Sequence, residues 1–205
     1  MSEVRREVGG CVSDGRAEGS VQAKPITTAL RAAVEFAVAT PGKCDERTVE
    51  SLLWGALGES PDLAKALTGR SDLIFRLGMK DRGDIAGLPD EMTHDAAVVI
   101  EVKLRAAFNW REATDRSQLD AYADRSPNAR LILVASDKSI KDFHARGTGK
   151  YHANGSREFQ SYDRWAENIV SLGDLLKMLI NVLEDSPPDP SAETVGRIVA
   201  RKGEQ

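Results

Sequence analysis

A chain of 205 residues and 22.3 kDa is long enough to bury one substantial core with extensions and short for two full domains. Its 41% hydrophobic and 29% charged residues suit a globular protein, and a net charge of -4 excludes a globally basic polypeptide, so contact with nucleic acid has to come from a local patch or from bound metal. Two cysteines, Cys11 and Cys44, lack metal-ligand spacing, which argues against a zinc site and for a reducing compartment.

Residues 1–24 mix Gly, Ser, Glu and Arg without periodicity and predict an arm ahead of one domain over 25–185, with 186–205 as a tail. The opening Met-Ser-Glu-Val-Arg-Arg-Glu leads into no apolar core, and no apolar run approaches about 20 residues, so the expectation is a cytoplasmic protein without leader or membrane span. Ile26, Ala29, Leu30, Ala33, Val34, Ala37 and Val38 recur at helical spacing until Pro41-Gly42. A second helix starts at an Asp45 cap and carries Val49, Leu52, Leu53, Ala56 and Leu57 on one stripe, with Glu50 at its border. Ser60-Pro61 opens a third, which ends at Gly69.

Strand patterns follow. The runs 73–77, 84–88 and 95–104 are separated by turns over 80–83 and 89–94, which predicts an antiparallel meander. Helical character over 112–124, with Gln118, Leu119 and Tyr122 sharing a face, precedes a buried-type strand over 130–135. Strand, helix and strand at these lengths predict a right-handed crossover to a parallel neighbour. Residues 138–157 are polar and Gly-rich, and the pattern predicts a long loop there. Its Lys138, Lys141, Arg146, Lys150 and Arg157, with Phe143 and Tyr151 between them, suit either a phosphate-contacting patch or a solvated loop. A second candidate contact is Trp110 with Arg105 and Arg111. A short strand over 168–170 leads to Ser171 and Asp174, a capping box for an amphipathic helix through Leu183.

The chemistry concentrates in Val98-Val99-Ile100-Glu101-Val102-Lys103-Leu104. Residues two apart on a strand share a face, so Glu101 and Lys103 project together while Val102 and Leu104 pack the other way. A charged pair at the end of a fully apolar strand is costly without partners. Asp84, at the start of the preceding strand, folds back beside Glu101. Two carboxylates with no histidine or cysteine cluster nearby make an all-oxygen site that favours Mg²⁺ or Mn²⁺, with the Val102 carbonyl as a further ligand. Lys103 then orients or deprotonates a water, or stabilises negative charge on a phosphate.

Asp84 followed by Glu101-Val102-Lys103 resembles the Asp…(Asp/Glu)-x-Lys motif of the PD-(D/E)XK, or restriction-endonuclease-like, nuclease superfamily. The order of helix, three-strand meander, helix and strand over about 45–136 resembles its core as well: an α/β fold with a mixed central sheet flanked by helices. Gln118 and Tyr122 are similar to a Gln-xxx-Tyr element of its exonuclease-related branch, and Glu50 falls where many members carry an extra acid. Gly83 stands where the name-giving proline would be. The resemblance implies that Asp84, Glu101 and Glu50 bind metal, that Lys103 assists the attacking water, and that Gln118 positions the site or the nucleic-acid backbone. It implies phosphodiester hydrolysis with DNA ahead of RNA as substrate, and a homodimer or a partner protein as a working form.

Two other functions stay open beside it. One is a nuclease-like domain that binds nucleic acid or a protein without cutting. The other is a structural α/β interaction module, in which Glu101 and Lys103 form an ordinary ion pair and Asp84 lies apart as a turn residue.

Overall fold

A computed structural model describes residues 28–79, 83–105, 108, 110–111, 116–147 and 159–185. The arm over 1–24, the tail over 186–205 and residues 80–82 of the predicted turn lie outside the described residues. In chain order the elements are α1 (Thr28–Ala39), a 3-10 turn (Pro41–Lys43), α2 (Glu46–Glu59), α3 (Pro61–Thr68), β1 (Ile74–Leu77), β2 (Ile85–Leu88) and β3 (Val98–Lys103). There follow β4 (Trp110–Arg111), β5 (Arg116–Ser117), α4 (Gln118–Arg125), β6 (Arg130–Ala135), α5 (Asp137–Gly147), α6 (Tyr162–Ala166), β7 (Ile169–Ser171) and α7 (Leu172–Asp185). No helix among the described residues is long and apolar enough to cross a membrane.

Local chemistry accounts for the boundaries. The Asp45 carboxylate accepts from the Thr48 amide at 2.7 Å and caps α2. Ser60 caps α3, Pro61 occupies its first position, and Gly69 at φ +81° ends it in the left-handed region. Ser171 accepts from the Asp174 amide at 3.0 Å and donates to its carboxylate, which starts α7.

The five-stranded sheet has the order β1-β2-β3-β6-β7. β1–β2 and β2–β3 are antiparallel, the predicted meander; β3–β6 and β6–β7 are parallel. The strand alternation sorts side chains between two cores. Ile85, Val98, Ile100, Val102, Ile132 and Val134 pack against α1, α2, α3 and α7. Ala86, Leu88, Val99, Leu131 and Leu133 pack the other way, against α4, α5 and α6. At the outer edge of β1 the Trp54 indole donates to the Phe75 carbonyl at 2.9 Å.

Three expectations are corrected. The helix predicted over 112–124 begins at Gln118: Ser117 and Asp120 form a capping box there, Arg116–Ser117 pairs with Trp110–Arg111, and residues 112–115 lie outside the described residues. The loop predicted over 138–157 contains a helix, Asp137–Gly147. Its N-terminus is set by the Ser136 hydroxyl, which accepts from the Ser139 amide at 3.3 Å, and it is held by Phe143, which stacks on Phe159 and Tyr162 with ring centroids 5.5 and 5.0 Å apart. Phe143 is fully buried and so is withdrawn from the proposed phosphate-contacting patch; Lys150, Tyr151 and Arg157 lie outside the described residues. The five-residue α6, anchored by the buried Trp165 donating to the Leu119 carbonyl, was not anticipated.

Gly83 delivers the chain to the start of β2. Its φ is +76°, and a Cβ there would lie 2.7 Å from the Ile100 carbonyl oxygen and 2.8 Å from Val99 Cγ1. Only glycine allows that approach. We expect Gly83→Ala to lower stability by about 1–3 kcal/mol, seen as an earlier midpoint in urea unfolding.

Candidate functional site

Following the same alternation, Glu101 and Lys103 continue the face of β3 that Val99 occupies, and Asp84 continues the face of Ala86 and Leu88. The apolar layer on the α4 side of the sheet therefore ends in three charged residues. All six residues of β3 are buried, with Glu101 at 0% exposure and Lys103 at 5%. In register they lie beside Leu133 and Ala135 of β6.

Lys103 Nζ stands 2.8 Å from Glu101 Oε1, a buried ion pair. Asp84 Oδ2 accepts from the Val102 amide at 2.8 Å. That contact fixes the other half of Val102: the N–H and C=O of one strand residue point to the same side, so its carbonyl faces the edge where β2 has ended and Asp84 stands. Burial, with the Asp84 charge beside it, pushes the Glu101 carboxyl up to about 8, and Lys103 offsets only part of this. Burial also raises Asp84, against the Val102 amide and Lys103. Burial alone would lower Lys103, but Glu101, Asp84 and Glu46 outweigh it and hold the ammonium above its ordinary range.

The α4 side supplies Gln118 and Tyr122, one turn apart, with Gln118 Nε2 donating to the Tyr122 hydroxyl. Burial and the Glu101 charge push that phenol up to about 12, so it stays neutral and serves as a hydrogen-bonding group rather than a base. A buried Asp120 holds this helix in place. It takes the Ser117 hydroxyl at 2.7 Å on one oxygen, and the Ser161 amide and hydroxyl at 2.8 and 2.7 Å on the other.

The α2 side supplies Glu50, half-buried, whose carboxyl is raised by burial and by the Asp84 charge. The structure thus gathers Asp84, Glu101, Val102, Lys103, Gln118 and Glu50 at one end of the sheet. It does not bring Glu50, Asp84 and Glu101 together as a three-carboxylate cage: among the described residues no group of three or more His, Cys, Asp or Glu is arranged to hold a metal ion. The donor chemistry still suits a hard cation, since one buried and one half-buried carboxylate share an edge with a carbonyl.

Sequence reasoning missed Glu46. Its Oε1 accepts from the Leu104 and Arg105 amides at 2.8 and 3.2 Å, and its Oε2 is 3.9 Å from Lys103 Nζ. The available signal was its spacing, one helical turn before Glu50. Arg105, named as a nucleic-acid contact, donates to the Gly42 carbonyl, and the side chains of Trp110 and Arg111 lie outside the described residues.

Fold and site together define a mixed α/β domain with a buried carboxylate–lysine centre at one sheet end. No family model, curated protein or solved structure matches the chain.

A carboxyl whose folded-state pKa lies above its unfolded value takes up a proton on folding, so stability falls as pH rises through the window between the two. For Glu101 that window runs from its ordinary value of 4.5 to about 8. The cation-free protein is expected to melt at progressively lower temperature between about pH 5 and about pH 8, and Glu101→Gln to flatten that slope. A wild-type midpoint independent of pH across this range would contradict the buried, proton-binding carboxyl.

Proposed function

We propose that this chain is a divalent-metal-dependent nuclease with a restriction-endonuclease-like core, acting on DNA in preference to RNA. The observation that carries this reading is the meeting of Asp84 with Glu101 and Lys103: two strands joined by a turn bring two carboxylates and an ammonium to one buried sheet end. The interaction-module reading requires Asp84 to lie apart from Glu101, and here its carboxylate sits on the amide of the residue between Glu101 and Lys103.

Asp84 and Glu101, with the Val102 carbonyl, are the residues that would hold Mg²⁺ or Mn²⁺, and Glu50 is the acid close enough to add charge from α2. When bound, such a cation supplies Lewis-acid stabilisation of the phosphate oxygens and a more acidic water. The water oxygen would attack phosphorus in line, giving up a proton to solvent, while the bond from phosphorus to the leaving oxygen breaks and that oxygen takes up a proton from solvent. Lys103, an ammonium in contact with Glu101, orients the water and balances charge on the phosphate, rather than removing a proton. Gln118, its amide fixed by Tyr122, presents hydrogen-bonding groups to the backbone of the substrate. With the chain at -4 overall, the cation also lessens repulsion of the polyanion.

A second reading, binding without cutting, draws on the same 2.8 Å contact, since an ammonium already seated on Glu101 competes with a cation. Incubation with linear, circular and single-stranded DNA in Mg²⁺ or Mn²⁺ separates the two. The nuclease reading expects cutting that EDTA abolishes and that Glu101→Ala and Lys103→Ala each reduce by about 10²-fold or more. DNA binding without cutting by the wild type would select the second.

A further inference from the structure

The exit from β3 is fixed at three consecutive residues. The Lys103 carbonyl accepts from the Ser136 amide at 3.1 Å, and the Leu104 carbonyl accepts from the Ser136 and Ser139 hydroxyls at 2.7 and 3.3 Å. From the opposite side the Leu104 and Arg105 amides both donate to one oxygen of Glu46. The strand ladder stops at Lys103, so these two amides need an acceptor from elsewhere, and a carboxylate in the first turn of α2 provides it. The other oxygen of Glu46 faces Lys103 Nζ at 3.9 Å, a charge contact longer than a hydrogen bond.

We infer that Glu46 is a positioning residue for Lys103. One oxygen fixes the backbone that carries the lysine, and the other holds a negative charge beside its ammonium. Lys103 then has two carboxylate neighbours on different elements, Glu101 two positions before it on β3 and Glu46 on α2, and it keeps the second when the first turns toward a competing cation. With Oε1 on two amides and Oε2 facing the Lys103 ammonium, Glu46 acts through Lys103. The consequence for cleavage depends on the nuclease reading; the positioning itself does not.

The test is a double-mutant cycle on the full chain with Glu46→Gln, Lys103→Met and the pair. Glu46→Gln keeps a carbonyl acceptor for the two amides and removes the charge. In thermal unfolding without cation, the two effects should depart from additivity by about 2 °C or more. Additive effects would overturn the inference. In DNA cleavage, Glu46→Gln should lower kcat about tenfold with KM changed less than about twofold, and should cause no further loss in the Lys103→Met background. An equal loss in that background would also overturn it. If the wild type cuts no DNA, the nuclease reading falls, and the unfolding cycle alone decides the role of Glu46.

Discussion

Placing a carboxyl with no exposed surface near the end of the central strand of a sheet is expensive, and the site is arranged around that cost at Glu101. The strand period puts Lys103 on the same face, close enough for an ion pair without any further fold element. It also puts Val102 and Leu104 into the opposite core, so the charged side of β3 is fixed by the apolar side. A one-residue slip in register would drive Glu101 into the layer formed by α2 and α7 and bring Val102 to the surface of the site. The pairing of Ile100 with Ile85 and Ile132, each fully buried, opposes that slip.

Helices close the site from both faces, and each is fixed by chemistry remote from the charges. On one side, α2 starts at Asp45 and within its first two turns offers Glu46 and Glu50. On the other, α4 starts at the Ser117–Asp120 box and offers Gln118 and Tyr122. Asp120 ties that start to Ser161, so the chain leading into α6 braces the helix that carries the glutamine. Groups on regular elements with fixed beginnings hold their spacing better than groups on loops, as a preorganised polar site requires.

The meander, the helix caps at Asp45, Ser60 and Ser171, and the burial of β3 were all legible in the sequence, because each follows from short-range chemistry or a strict period. The meeting of Asp84 with Glu101 was legible too, since antiparallel neighbours in a meander bring the start of one strand beside the end of the next. The helix over Asp137–Gly147 was not: its buried residues are only Ser139 and Phe143, too sparse a stripe to stand out from polar neighbours. Glu46 escaped because its partners are backbone amides 58 and 59 positions away, and no residue type signals a need for such an acceptor. The contacts of Glu101 with Lys103 and of Asp84 with the Val102 amide are equally a matter of side-chain geometry that spacing does not record.

The indole of Trp54 on the Phe75 carbonyl has a consequence beyond the chain itself. Gly78 donates toward Asp84, so by alternation the carbonyls of Phe75 and Leu77 point away from β2, along the rim of the sheet. An unfilled rim is a template on which a strand from another molecule can add, and the half-exposed Ile74 and Leu77 would welcome it. Trp54 occupies an acceptor in the middle of that rim and lays a bulky ring across it. At the far side β7 is only three residues long, too short to recruit a stable neighbour. Both margins are thus poorer templates for an added strand than a long bare edge would be.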